Sequence, residues 1–340
     1  MTTEYDDRPR PPAMSDVARV AGVSHQTVSR VLNDHPSVRP ATRDRVLDAI
    51  AELGYRRNSA ARTLVTRRSG AIGVVTTGLP YFGPASTLIA VEAAARDAGY
   101  FVSVATLARN DATSVDHAVE HFLAQGVEGI ICIAPHSDVR DALVPFGDVV
   151  PLVMIASEAS PGFAFHTMSV DQELGARLAT RHLLELGHRD IAHLAGPQDW
   201  IDAHARAVGW RKELAAAGVA PGEQISGDWS PDRGYEVGLR LVRDGLPGAV
   251  FAANDQLALG LLRAFAESGL RVPRDVSVVG FDDITGSAHF FPPLTTVRQE
   301  FGALGTRCMQ MLLAAINGFD SDPTPIPPSL VVRFSTGPPA

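Results

Sequence analysis

The chain has 340 residues, of which 45% are hydrophobic and 20% are charged. That composition is typical of a globular protein with two or three domains, and it excludes collagen-like, disordered and disulfide-rich classes. No apolar run reaches the length of a membrane span, and the first residues lack a basic-then-apolar export signal, so we expect a cytoplasmic protein. Cys132 and Cys308 lie in apolar stretches and are predicted to be core thiols, and the sequence indicates no cofactor or metal.

The net charge of −8 conceals a difference between the two parts of the chain. Residues 13–68 contain ten arginines and five acidic residues, whereas residues 69–340 contain 18 basic and 30 acidic residues. A basic segment attached to an acidic body favours binding of a polyanion at one end of the molecule. The alternative is a basic surface that is merely solvated.

The basic segment predicts three short helices. The stretch SDVARVA ends at Gly22, and HQTVSRVLN follows Ser24, whose hydroxyl suits a helix N-cap. Pro40 begins a third apolar-periodic stretch that ends at Gly54. A helix, a tight glycine turn and a second helix form the helix-turn-helix pattern, which places the second helix in the DNA major groove. A helical hairpin with a polar outer face is the alternative.

The outer face of the second helix offers side chains that read bases. Gln26 suits adenine, Arg30 suits guanine, and His25 can donate to or accept from several base edges. Other polar side chains suit phosphate oxygens, which fix register without reading sequence. We assign the following to the DNA backbone: Ser24, Thr27, Ser29, Asn33 and Arg57.

From Gly70 onward, short apolar runs alternate with helix-length stretches, which is typical of parallel sheets covered by helices. A first series contains AIGVVTT, YFVSVAT, GIICIAP and PLVMIAS, and a second contains DIAHLAG, GAVFAAND and VSVVGFDD. Two such series predict an α/β body with two lobes.

Polar and aromatic residues follow several of these strands, at the sheet edge where ligands of such folds bind. They are Arg206, Trp229, Asn254, Asp255, Asp282 and Asp283. Carboxylates, an amide and a guanidinium can hydrogen-bond to vicinal hydroxyls, and an indole can stack on the apolar face of a sugar. Taken singly, these residues are as well explained as helix caps, turn residues and core tryptophan.

Several motifs, in their order and spacing, resemble one family. They are VAxxAGVSxxTVSRVLN and ELGYxxNxxARxL in the basic segment, and GDWS, AANDQ and GFDD in the body. The chain resembles the lactose-repressor and galactose-repressor family of bacterial transcription regulators. That resemblance implies an N-terminal all-α helix-turn-helix domain and a two-lobed body like a periplasmic binding protein. It further implies a homodimer on palindromic double-stranded operator DNA and a small sugar effector between the lobes, with no membrane partner.

The resemblance also implies roles for single residues. A hinge helix would form where two copies pair on DNA, with Leu64 wedged into the minor groove and Asn58, Ala61 and Arg62 supporting it. The residues matching the family's effector contacts are Tyr81, Phe82, Pro84, Arg206, Trp229, Asn254, Asp282 and Gln299.

The same resemblance divides the chain into four parts. Residues 1–12 are a flexible extension, 13–57 the helix-turn-helix domain, and 58–69 the hinge helix and linker. Residues 70–340 bind the effector and dimerise. Within them the lobes comprise about 70–168 with 298–326, and about 169–297 with 327–340.

Three departures from the family pattern bear on specificity. Ile133 and Ala156 stand where lactose-binding members have polar residues, so we expect an effector other than a plain galactoside. His25 replaces a tyrosine of those members, so the operator need not be shared. The sequence STGPPA follows the last predicted strand without a leucine heptad, which favours a dimer over a tetramer.

The predicted function is therefore repression of carbohydrate-use genes under allosteric control by a sugar, without catalysis. One alternative is a carbohydrate-active or other α/β enzyme, for example a glycosidase using Asp282 with Asp255. No G-x-G-x-x-G follows a predicted strand, which speaks against a dehydrogenase. A transport-type sugar-binding protein is the other alternative, but it would leave the basic segment unexplained.

Overall fold

A computed structural model describes residues 12–55, 68–77, 81–157 and 164–340. The chain divides at Ser69 into two compact units, residues 1–69 and 70–340. Several predictions lie outside the described residues and stay predictions: those for Arg57, Asn58, Ala61, Arg62 and Leu64.

The N-terminal unit consists of three helices, which confirms the predicted pattern. They are α1 (Met14–Ala21), α2 (His25–Leu32) and α3 (Pro40–Leu53). Gly22 has φ 64°, a conformation that glycine adopts without strain, and this lets the chain turn sharply from α1 into α2. A small core joins the three helices; it contains Val17, Ala18, Ala21, Val28, Val31, Val46, Ala49 and Tyr55.

The body contains two sheets. The first has the order β2-β1-β3-β4-β5, and its paired strands are all parallel. Its strands are β1 (Ala71–Thr77), β2 (Phe101–Leu107), β3 (Ile130–Ile133), β4 (Leu152–Ile155) and β5 (His166–Met168). The helices that connect or cover them are α4 (Phe82–Asp97), α5 (Ala112–Gln125) and α6 (Ser137–Leu143). This sheet forms the N-lobe.

The second sheet has the order β11-β10-β9-β8-β6-β7, parallel except for the antiparallel pair β10 and β11. Its strands are β6 (Ile191–Ala195), β7 (Gln224–Ser226), β8 (Ala249–Ala252), β9 (Ser277–Asp282), β10 (Thr295–Arg298) and β11 (Ser329–Val331). Its helices are α7 (Gln172–Glu185), α8 (Ile201–Ala216), α9 (Pro231–Asp244) and α10 (Asp255–Glu267). This second sheet forms the C-lobe. Short 3-10 turns occupy Val144–Phe146 in the N-lobe and Ser287–His289 in the C-lobe.

The chain passes between the lobes three times. It crosses after β5, again after β10 into α11 (Phe301–Ile316), which packs on α4 of the N-lobe, and finally before β11. Two of the crossings run side by side, because the amide of Asp171 donates to the carbonyl of Ile326 at 2.9 Å. The α/β prediction of two lobes is thereby confirmed.

Both cysteines are buried and unlinked, as predicted, Cys132 in β3 and Cys308 in α11. No helix among the described residues combines the length and apolar character needed to cross a bilayer.

Candidate functional site

The three candidate base-reading residues share one exposed face of the N-terminal unit. His25, Gln26 and Arg30 all lie on α2 and are exposed, while Val28 and Val31 of the same helix are buried. The 3.6-residue periodicity of the helix separates these two sets of side chains. The face is therefore available to the edges of base pairs, as a recognition helix requires.

Some residues assigned to the DNA backbone also stabilise the ends of α2. The Oγ of Ser24 accepts a hydrogen bond from the amide of Thr27 at 3.1 Å and lies 2.9 Å from the Oγ1 of that residue. At the other end, the Nδ2 of Asn33 donates to the carbonyl of Ser29 at 2.9 Å. Capping therefore accounts for part of this pattern of short polar side chains, whatever the same atoms do on DNA.

All eight predicted effector contacts line one pocket between the two lobes. We call it the inner pocket, and it has a volume of about 60 Å³. Residues of the N-lobe, α11 and C-lobe meet there. The eight predicted contacts, Tyr81, Phe82, Pro84, Arg206, Trp229, Asn254, Asp282 and Gln299, are joined by Gln172, Trp200, Asp202, Ile133, Ile155 and seven others. The sequence motifs thus come from distant parts of the chain and converge in one place.

Arg206 is buried at the centre of the inner pocket. Its Nε donates to the Oε1 of Gln172 at 2.9 Å, and its Nη1 donates to the carbonyl of Ala253 at 2.5 Å. Its guanidinium lies 3.9 Å from the ring centroid of Phe281 and 5.5 Å from that of Trp229. A charge this deeply buried needs such partners, and here they also fix its orientation.

Asp282 faces Arg206, with 3.8 Å between its Oδ1 and the Nη2 of the arginine. The same oxygen accepts a hydrogen bond from the Nε2 of Gln299 at 2.7 Å. Burial raises the pKa of Asp282 to about 6, although the Arg206 guanidinium and the Gln299 amide act in the opposite direction. Near neutral pH the pocket thus presents a carboxylate beside a guanidinium.

Trp229 and Asp282 have unusual backbone conformations for residues with side chains, with φ 73° and 108°. Residues with positive φ cost conformational energy unless their surroundings enforce them, and they cluster at functional sites. The carbonyl of Trp229 accepts from the Nδ2 of Asn254 at 3.2 Å, which helps to hold it. The Nε1 of Trp229 is buried and has no hydrogen-bond acceptor among the described residues.

Asn254 also caps a helix, because its Oδ1 accepts from the amide of Leu257 at 2.8 Å at the start of α10. Both interpretations of the AAND motif therefore hold: the side chain is a cap and it lines the pocket.

Three aromatic rings form a connected edge-to-face series along one side of the inner pocket. The centroids of Tyr81 and Trp200 are 5.2 Å apart, and those of Trp200 and Trp229 are 5.5 Å apart. Burial raises the pKa of Tyr81, and the charges of Asp228 and Asp199 add to this effect. The pocket thus combines aromatic faces with polar groups.

Sequence reasoning missed several polar or aromatic pocket residues, and three of them are Gln172, Trp200 and Asp202. Asp202 accepts two hydrogen bonds at Oδ1, from the amide of Ser157 at 3.1 Å and from its Oγ at 2.5 Å. Burial raises the pKa of Asp202, against the Ser157 hydrogen bond. These three residues lie at or near the first residue of a helix. To predict them, the ends of the strands and the boundary between the lobes would have to be known to within one residue.

Two of the polar residues expected after strands do not line the pocket. Asp255 is fully buried and accepts from the amide of Ile284 at 2.9 Å and from the hydroxyls of Ser287 and Thr296, each at 2.5 Å. Asp283 pairs instead with arginines, Arg298 and Arg333, each at 2.7 Å. The glycosidase pair of Asp282 with Asp255 is therefore not assembled in the pocket.

Of the two apolar residues expected in the pocket, Ile133 and Ala156, only one lies there. Ile133 lines the pocket, but Ala156 belongs to the N-lobe core, and Ile155 lines the pocket in its place. Successive side chains of an extended segment point to opposite sides, so a shift of one residue exchanges the two roles.

No group of three His, Cys, Asp or Glu side chains suited to a metal ion occurs within 12–55, 68–77, 81–157 and 164–340.

Two family profiles match the chain. Residues 13–58 match "Bacterial regulatory proteins, lacI family", and residues 180–336 match "Periplasmic binding protein-like domain". The chain is 38% identical over 310 residues to the lactose operon repressor of Escherichia coli (strain K12), covering 91% of this chain and 86% of that protein. It is 37% identical over 333 residues to the transcriptional regulator CelR of Thermobifida fusca, covering 93% and 95%.

Solved structures show the same similarity. A lac repressor dimer bound to operator and the anti-inducer ONPF aligns with a TM-score of 0.87 at 37% identity, covering 96% of this chain and all of that one. A complex of CelR with cellobiose aligns with a TM-score of 0.69 at 33% identity, covering 95% and 99%. The architecture thus has counterparts in a repressor bound to operator DNA and a small ligand and in a regulator bound to cellobiose.

Proposed function

This chain belongs to the lacI family of bacterial regulatory proteins, and we propose that it represses carbohydrate-use genes under the control of a sugar or sugar-like effector. It is a DNA-binding transcription regulator with a helix-turn-helix domain and a periplasmic-binding-protein-like body. The effector occupies the cleft between the lobes and changes the affinity of the N-terminal unit for operator DNA. Such a regulator works in the cytoplasm, where operator DNA is found.

The observation that supports this proposal most directly is that all eight predicted effector contacts lie in the inner pocket. Asp282 accepts hydrogen bonds from ligand hydroxyls, Arg206 donates to ligand oxygens, and the Nε1 of Trp229 is a buried donor that a ligand oxygen satisfies. The ring of Trp229 offers an apolar face to the C–H side of a sugar. These groups bind a polyhydroxylated ring and need perform no reaction on it, and the relatives that the chain matches are transcription regulators.

DNA recognition follows from the α2 face. We propose that His25, Gln26 and Arg30 read bases in the major groove and that two copies of the chain bind the two halves of a palindromic operator. The similar lac repressor structure is a dimer on its operator, and one three-helix unit alone offers few contacts. We propose that Leu64 enters the minor groove from a hinge helix, with Asn58, Ala61 and Arg62 beside it, as the family pattern implies.

The coupling between the two sites is a shift of population. An effector that binds one arrangement of the lobes more tightly than another favours that arrangement, and a ligand with equal affinity for both changes nothing. Couplings of this kind change DNA affinity by roughly 5-fold to 150-fold.

Selection of bound sequences from a random double-stranded pool, followed by DNA titrations with and without sugars, tests the proposal. We expect a palindromic consensus with two half-sites and at least one sugar that changes the Kd for that sequence by roughly 5-fold or more. A consensus without symmetry would contradict the dimeric operator complex. A DNA affinity indifferent to every sugar tested would contradict the effector assignment.

A further inference from the structure

The first residue of the body, Gly70, is hydrogen-bonded at both of its backbone groups. Its amide donates to the Oε1 of Glu128 at 2.7 Å, and its carbonyl accepts from the amide of Phe101 at 2.8 Å. Gly70 has φ 66°, so the chain turns at this residue before β1 begins at Ala71. The chain from the N-terminal unit therefore enters the body at a residue whose direction is fixed.

The side chain of Glu128 is itself held in place. The residue lies between α5 and β3, and its amide donates to the carbonyl of Ala71 at 2.9 Å. The hydroxyl of Tyr100 donates to its Oε2 at 3.0 Å. Each carboxylate oxygen thus accepts a hydrogen bond, and bonds to an ionised acceptor are stronger than bonds between neutral groups. We call Gly70, Tyr100 and Glu128 the junction anchor.

The junction anchor lies at the edge of the N-lobe sheet opposite to the inner pocket. Gly70 precedes β1, Tyr100 precedes β2 and Glu128 precedes β3, and these neighbouring strands run parallel. The pocket residues Tyr81 and Ile133 lie after β1 and at the carboxyl end of β3. The seven residues of β1 span roughly 20 Å at about 3.3 Å per residue. The junction anchor is therefore separate from the effector contacts.

The fold does not need a carboxylate partner for the amide of Gly70. Gly70 and Glu128 are only half-buried, so water can satisfy this amide at little cost. The bond instead joins residues 58 positions apart in sequence, at the boundary between the two units. What the bond removes is the freedom of the chain at that boundary.

This freedom matters for a protein that binds DNA through two N-terminal units at once. When two binding modules are linked, the effective concentration of the second module at its site depends on the length and stiffness of the connection. A connection that leaves the body in one fixed direction raises that concentration at one separation of the half-sites and lowers it at others.

We propose that the junction anchor determines which half-site spacing the dimer accepts. This inference rests on the proposed dimeric operator complex and goes beyond it, because it assigns the selection of spacing to residues of the body. Glu128 is a positioning residue, since it acts on DNA binding through Gly70.

Binding titrations of the full-length protein test this on three DNAs built from the selected consensus: the full operator, the same half-sites with two base pairs inserted between them, and a single half-site. The insertion rotates one half-site by about 70° relative to the other, since B-DNA has about 10.5 base pairs per turn. We expect the wild type to bind the full operator at least tenfold more tightly than the inserted one. In Glu128→Ala this ratio should fall at least threefold, with affinity for the single half-site within twofold of the wild type.

Two further variants separate the hydrogen bonds from the residue. Glu128→Gln keeps an oxygen that accepts from the amide of Gly70, so we expect it to retain the spacing ratio within twofold. Tyr100→Phe removes the hydroxyl that donates to Oε2 and should lower the ratio less than Glu128→Ala does. Glu120→Ala, at an exposed glutamate of α5, is the matched control and should leave all three affinities unchanged.

An unchanged spacing ratio in Glu128→Ala would overturn the inference and leave the proposed function standing. An equal loss of affinity for the full operator and for the single half-site would also overturn it, because that result indicates general destabilisation of the protein. If selection yields no symmetric consensus, the proposed dimeric complex fails and the inference fails with it.

Discussion

The recognition face of α2 and the inner pocket present their functional side chains in opposite ways. His25, Gln26 and Arg30 are exposed and project from a helix held by a small apolar core. Arg206 and Asp282 are buried and hydrogen-bonded within the protein before any ligand arrives. We therefore expect DNA recognition to be separable from folding, whereas effector recognition is part of the stability of the body.

The comparison is tested most severely by Arg206→Ala. The substitution leaves the Oε1 of Gln172 and the carbonyl of Ala253 without their donor and Asp282 without its counter-charge. We expect the free energy of unfolding of the body to fall by about 3–5 kcal/mol, because one partner of a buried charged network is removed. Urea unfolding followed by tryptophan fluorescence measures this loss. Arg243→Ala, at an exposed arginine of α9, should leave stability unchanged, and an equal loss in both variants would contradict the distinction.

Asp282→Asn sharpens the comparison within the pocket, since it keeps the shape of the side chain and removes its charge. We expect effector affinity to fall by about 1.5–3 kcal/mol, the worth of a hydrogen bond to a charged group, with DNA affinity in the absence of effector unchanged. Because burial raises the pKa of Asp282 to about 6, wild-type affinity should weaken as the pH falls below about 6.

Effector titrations at pH 5.5 and 7.5 check this dependence. Asp202 and Arg206 face Asp282, so a change shared by the variant and the wild type belongs to those groups or to the ligand. If the variant keeps the full pH dependence, the Asp282 carboxylate is not the ionising contact.

Arg30→Ala examines the exposed side of the comparison. We expect a loss of about 1–3 kcal/mol on the selected operator, relaxed preference at one base pair in each half-site, and no change in thermal unfolding. Titration against operator and random-sequence DNA separates base reading from phosphate contact. Equal losses of affinity for operator and for random-sequence DNA would show that Arg30 contacts phosphates and does not read bases.

Ser24→Ala has the smallest expected effect. Ser24 is an exception to the comparison, because it is exposed on the recognition side and yet its hydroxyl makes a hydrogen bond that stabilises the fold. Loss of the cap on α2 should destabilise the N-terminal unit by about 1 kcal/mol. Hydrogen exchange of the α2 amides in the full-length protein measures the loss. Unchanged exchange would show that the cap contributes nothing to stability.

Sequence reasoning predicted the framework of the molecule well, because the spacing of apolar residues and the positions of glycine and proline determine where helices and strands begin and end. Gly22 and Gly54 end their helices with positive φ, and the apolar runs of the body became the buried strands β1, β3, β4, β6, β8 and β9. The helix α6 (Ser137–Leu143) was missed because it has only seven residues and no long apolar period.

The site was predicted only in part. The residues carried by motifs meet in the inner pocket, but Asp202 and Trp200 lie there through the tertiary arrangement of α8, which no local pattern specifies. The error at Ala156 has a similar cause, since facing direction changes with each residue of an extended segment. Asp255 and Asp283 follow strands as pocket residues do, yet neighbouring hydroxyls and arginines bind their carboxylates.

The small volume of the inner pocket bears on the order of events during binding. A space of about 60 Å³ is smaller than most small-molecule sites, so we expect the lobes to separate before the ligand enters. The association rate is then limited by this opening and not by diffusion once the ligand is abundant. In a stopped-flow experiment that follows Trp229 fluorescence, the observed rate should therefore rise with sugar concentration and level off at the rate at which the lobes open.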